Sequence, residues 1–144
     1  MFIRPEIRSD KQGDGHFGAS RKNAKGSYKH QGIDFEAKAG CDIFSEFSGV
    51  VTKIGRPYYF PSPKNDKQRK QNDLRYVQIT DDPNGLNHRF FYVEPSVGMG
   101  DQVAAGDKIG TAQNLKAIYK NMDNHVHQEV KDKYGNVLDP NDYL

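Results

Sequence analysis

A chain of 144 residues makes one domain that can bury a core without covalent staples, and its single cysteine, Cys41, excludes an internal disulfide framework. Its 21 basic and 19 acidic residues leave a formal charge of +2, a near balance that gives no specific nucleic-acid signal. With 35% hydrophobic residues and a mean hydropathy of −0.89, no stretch has the length and apolarity needed to insert in a membrane.

The opening residues, Met1 to Arg8, place Phe2, Ile3 and Ile7 around Pro5, the pattern of an edge strand or an ordered arm. They lack the apolar core of a signal peptide, so export by a conventional leader is not expected. Residues 1–14 form an N-terminal arm of the single domain. Gly13-Asp14-Gly15 reads as a turn that delivers His16 and Phe17, with His16 a loop residue. Arg21 to Tyr28 reads as a polar, basic loop.

His30-Gln31-Gly32-Ile33-Asp34 follows. Gly32 and β-branched Ile33 argue for a turn running into a strand, on which His30 and Asp34 share one side. Cys41–Phe47 and Gly49–Ile54 read as two short strands. Cys41 is expected as a small buried side chain. Tyr58 to Asp73 is the longest non-periodic segment, carrying Pro61 and Pro63 and then a polar run, and reads as a long loop, functional or mobile.

Leu74–Thr80 alternates cleanly and, across the turn Asp81 to Gly85, should pair with His88–Val93 as an antiparallel hairpin, which leaves His88 a surface residue near the turn. Val97–Gly110 holds two glycine-flanked turns around Gln102-Val103-Ala104 and the strand at Lys108–Thr111. Leu115–Tyr119 has helical composition for a turn or two. His125–Val130 alternates as a strand that projects His125 and His127 side by side, about 6–7 Å apart. The fold class is therefore mostly β, with an antiparallel sheet core and long loops.

Two imidazoles and a carboxylate are the donor count of a catalytic zinc site that keeps one position for water, and His30, Asp34 and one histidine of the later pair supply it. A β domain whose histidines lie scattered on the surface is the bland alternative.

The combination of His30-x-x-x-Asp34, Phe17-Gly18-x-x-Arg21, the glycine-punctuated Val97–Gly110 and His125-x-His127 resembles, in order and over most of the chain, the lysostaphin/LytM-type zinc metallopeptidases. That resemblance implies Zn²⁺ held by His30, Asp34 and His127, His125 as a catalytic histidine that is not a ligand, and a hairpin of the central sheet at Cys41–Ile54. It also implies peptidoglycan peptide as the substrate, with Tyr58, Tyr59 and Phe60 on one wall of the substrate groove. Active members carry a further histidine where this chain has Tyr92, in Phe90-Phe91-Tyr92-Val93. In this the chain is similar to vertebrate leukocyte-chemotaxin members of the family, which hold zinc and are regarded as catalytically silent. Two functions follow as expectations: a zinc endopeptidase in which Tyr92 stands in for a catalytic histidine, or a zinc-fastened binding module.

Overall fold

A computed structural model of the chain describes residues 9–10, 13–14, 17–18, 20–23, 26–29, 32–81 and 84–143. The arm expected at Met1 to Arg8, His16 and the first expected metal ligand, His30, lie outside the described residues.

The strands run, in chain order, β1 (Ser9–Asp10), β2 (Gly13–Asp14), β3 (Ser20–Asn23), β4 (Gly26–Lys29), β5 (Ile33–Glu36), β6 (Asp42–Phe44) and β7 (Gly49–Gly55). After helix α1 (Asp66–Asn72) come β8 (Tyr76–Asp81), β9 (Asn87–Phe91), β10 (Val93–Pro95), β11 (Gln102–Val103), β12 (Lys108–Ala112), β13 (His125–Lys131) and β14 (Val137–Leu138), then a 3-10 turn at Pro140–Tyr143. Seven strands make the central sheet in the order β11-β7-β8-β9-β13-β14, with β5 also paired to β13. Every pairing in it is antiparallel. A three-stranded sheet, β10-β12-β6, packs beside it, and β1–β2 and β3–β4 are separate two-stranded ribbons.

Alternation along the strands decides what the central sheet buries. From β13, Val126 goes to the core with Val77 and Ile79 of β8, Phe90 of β9 and Val51 of β7, where Val93, Val103, Ile109 and Ala112 meet them, and Val130 is buried on the same side of the strand. Each such side chain contributes about 1.5–3 kcal/mol by leaving water. The opposite face carries Asp34, His125, His127, Glu129, Phe91, Arg89, Tyr76, Gln78 and Lys53, because residues in register across strands share a face. One sheet thus separates an aliphatic core from a polar and aromatic floor.

Several expectations change. Gly13–Asp14 is strand β2 rather than a turn, and the basic loop expected at Arg21 to Tyr28 is the hairpin β3–β4, since backbone pairing satisfies amides whatever the side-chain polarity. Strands β6 and β7 do form but not as a hairpin: β6 pairs with β12 and β7 with β8 and β11, so the chain changes sheets between them. The long loop after Tyr58 contains α1, started by Asn65, whose side chain accepts from the Gln68 amide at 2.9 Å while Gln68 Oε1 accepts from the Lys64 amide. Leu115–Tyr119 makes one hydrogen-bonded turn, with the Tyr119 amide on the Leu115 carbonyl.

His88 is not on the surface. It is fully buried, its Nε2 2.8 Å from Asp81 Oδ2 and its ring stacked on Phe47 at 3.7 Å. Alternation along β9 turns His88 and Phe90 to the core while Arg89 and Phe91 face the floor, and Asp81 supplies the polar partner that makes a buried imidazole tolerable.

Candidate metal centre

Asp34 on β5 and His127 on β13 are register partners, and their side chains meet: Asp34 Oδ1 is 2.6 Å from His127 Nδ1. The second ring nitrogen, His127 Nε2, is 3.0 Å from Glu129 Oε1, two residues along the same face. Gly32 makes this approach possible, since a Cβ there would lie 2.3 Å from the Gln128 carbonyl oxygen and 2.7 Å from the His127 ring. Burial of His127 works against its charged form, but the hydrogen bonds and charges of Asp34 and Glu129 outweigh it and hold the imidazole at about 9.

His125 lies on the same face at the start of β13, with Nε2 3.8 Å from the same Asp34 oxygen. Its Nδ1 is 2.9 Å from the Asp123 carbonyl oxygen. A carbonyl only accepts, so Nδ1 donates to it and Nε2 is the nitrogen that faces Asp34.

Tyr92 stands beside His125, ring centroids 5.5 Å apart at 87°. It follows β9 at φ 72, the single non-glycine residue with positive φ among the described residues. Its amide and that of Val93 both donate to the Arg75 carbonyl, at the point where the chain leaves the central sheet for the smaller one. A bulky side chain in the left-handed region costs about 1–2 kcal/mol. Burial pushes its phenol well above the usual range, with Tyr58, Asp34 and Tyr119 adding in the same direction.

Of the three residues expected on the groove wall, Tyr58 reaches Tyr92 and Tyr119. Tyr59 is 67% exposed, with Arg56 5.7 Å over its ring, and the backbone of Phe60 is tied at both ends to the Asn72 side chain. Tyr119 and Gln71 escaped sequence reasoning: Gln71 Nε2 donates to the Tyr119 hydroxyl at 2.8 Å, and burial pushes that phenol to about 12. Without α1, no sequence signal placed Gln71 near the site.

The donor types, carboxylate oxygen and imidazole nitrogen, are those a small divalent cation takes. A carboxylate oxygen and an imidazole nitrogen converge on one point, a second imidazole faces it, and Glu129 gives the His127 ring the outer carboxylate that metal-bound histidines commonly have. Among the described residues no group of three or more His, Cys, Asp or Glu side chains is placed to hold a metal ion.

The sequence model of peptidase family M23 matches residues 28–140. Leukocyte cell-derived chemotaxin-2 of Mus musculus is 29% identical over 140 residues, covering 96% of this chain and 80% of that protein. Two solved structures share the fold: a mutant catalytic domain of the prophage-encoded M23 protein EnpA from Enterococcus faecalis (TM-score 0.61, 20% identity, 98% of this chain and 93% of that one), and a zinc-containing peptidase from Vibrio cholerae (TM-score 0.60, 21% identity, 95% and 37%).

Proposed function

Because the chain belongs to peptidase family M23, we propose that it is a zinc-dependent endopeptidase acting on the peptides of bacterial cell-wall peptidoglycan. The observation that carries this reading is the convergence of Asp34, His127 and His125 from two paired strands. His30, Asp34 and His127 would hold the ion. Zinc bound there would supply Lewis acidity and bring the pKa of water toward about 7. The prophage origin of the EnpA protein is a precedent for a phage-borne route to the wall.

The chain's own groups divide the remaining work. His125, oriented by the hydrogen bond from its Nδ1 to the Asp123 carbonyl, accepts a proton at Nε2 from the attacking water and returns it to the departing amine. Asp34 places the carboxylate charge that favours the cation. Tyr92, whose raised pKa keeps its phenol protonated at neutral pH, donates a hydrogen bond to the developing oxyanion in place of a second histidine. A phenol lacks the positive charge of an imidazolium, so the barrier rises by about 3–5 kcal/mol if Tyr92 recovers none of that histidine's effect.

Tyr92 also favours a second reading, a zinc-fastened module that binds a wall or protein ligand without cutting it. Incubating zinc-loaded protein with purified peptidoglycan and counting new amino termini separates the two. Release that falls in His125→Ala supports the peptidase. Absence of release from the wild type and from Tyr92→His, with wall binding intact in His125→Ala, rejects it in favour of the binding module.

A further inference from the structure

A row of residues in register crosses the sheet from the candidate centre: His127 on β13, Phe91 on β9, Tyr76 on β8 and Gly55 on β7. Its rings touch in sequence, His127 to Phe91 at 5.3 Å and Phe91 to Tyr76 at 5.1 Å. Gly55 ends the row because a Cβ there would lie 2.6 Å from the Tyr76 ring, so the missing side chain is what lets the ring lie down on β7.

Two cations stand over that ring, the Arg89 guanidinium at 4.7 Å and the Lys53 ammonium at 5.9 Å from its centroid. Arg89 Nε donates to Gln78 Oε1 at 2.7 Å, and Gln78 Nε2 in turn donates to Thr52 Oγ1 at 3.0 Å, which fixes the guanidinium plane. Glu129 faces Arg89 in register and feels its charge, but its carboxylate oxygen accepts from His127 Nε2 and makes no ion pair with the guanidinium. Neither Arg89 nor Lys53 makes a salt bridge among the described residues. Two neighbouring positive charges on a shaped aromatic platform are complementary to an anion, and a fixed guanidinium fork matches a carboxylate.

We propose that Arg89 and Lys53, held over Tyr76, form a carboxylate-binding subsite that makes this face selective for peptides with an acidic group. The inference rests on the reading that the face takes a peptide, and it adds the class of peptide. Tyr76 lies two strands from His127, about 10 Å at ordinary strand spacing. An extended peptide covers that span in about three residues, so the carboxylate sits about three residues from the carbonyl at the metal centre.

The test is titration of the full chain with acetyl-Glu-Ala-Ala-Ala-Glu-amide, acidic at either end, and with its Gln counterpart, following the backbone amides of β8 and β9 by NMR. The expected result is about tenfold or greater preference for the Glu peptide, lost on raising salt and reduced to near one in the Arg89→Gln/Lys53→Gln double variant at unchanged melting temperature. Equal affinity for the two peptides, a preference that survives in the double variant, or no binding of either peptide at about 10 mM overturns the subsite. Binding of a single-stranded oligonucleotide where both peptides fail overturns it in favour of a polyanion surface. Amino-terminus release from peptidoglycan, measured separately, reports on the peptidase reading: release with no Glu preference sinks the subsite alone, and Glu preference without release from either the wild type or Tyr92→His sinks the peptidase alone.

Discussion

Asp34 Oδ1 and His127 Nδ1 lie 2.6 Å apart across 93 residues of chain, brought together because β5 and β13 pair in a register that puts the two residues opposite each other. A one-residue slip of β5 would turn Asp34 into the core while His127 stays on the floor, fixed by the pairing of β13 with β9. Asp34→Ala removes one of the two converging donors and leaves His127 with Glu129 alone. The expected outcome is a loss of metal affinity of at least about 100-fold, measured by competition with a chromophoric chelator.

In the proposed centre Glu129 would act on the ion through His127. Glu129→Gln keeps a hydrogen-bonding group at Nε2 but removes the charge, and metal affinity should fall about 10- to 100-fold while stoichiometry at saturating zinc is unchanged. An affinity equal to that of the wild type would show that Glu129 does not orient the ring.

Gly32 should tolerate no side chain. Gly32→Ala drives a Cβ into the Gln128 carbonyl and the His127 ring, so β5 must move away from β13. A stability loss of about 1–3 kcal/mol in urea unfolding is expected, together with weaker metal binding.

His88 gives the fold a pH dependence of calculable sign. Burial lowers its pKa more than the Asp81 hydrogen bond and charge raise it, so the folded chain binds its proton less readily than the unfolded chain. Stability from this group is complete above the unfolded value near 6.5 and is lost as pH falls below it, by at most about 1.4 kcal/mol per pH unit. Melting temperature should decline between pH 6.5 and 5, and His88→Gln should flatten that decline.

In the proposed reaction Tyr92 would limit the rate. Tyr92→His restores a group able to carry positive charge, and peptide release should rise by about 10²–10⁴-fold if the rest of the site is competent. Tyr92→Phe removes only the hydroxyl and should leave thermal stability close to wild type while lowering whatever release the wild type shows.

Much of this was legible in the sequence because alternation reports which face a strand buries. His125, His127 and Asp34 were expected to project together from strands, and the hairpin of β8 and β9 and the turns at Gly100 and Gly106 follow from local pattern and positive φ. What escaped depends on long-range partners. Strand β6 looks like the first arm of a hairpin with β7, yet its partner is β12, more than 60 positions away, which no local signal encodes. His88 carries the alternation that buries it, but its reading as a surface residue gave more weight to a polar side chain near a turn than to Asp81 waiting beneath it. Helix α1 has no apolar stripe to announce it, only the Asn65 and Gln68 cap, and the approach of Tyr119 to Gln71 depends on that helix.

The central claim is that Asp34 and His127 hold one zinc ion. The most direct measurement is elemental analysis of the purified chain after exhaustive dialysis, alongside Asp34→Ala and His127→Ala. About one zinc per chain in the wild type and a small fraction of that in either variant is the predicted result. A wild type without stoichiometric metal, or full retention in both variants, contradicts it.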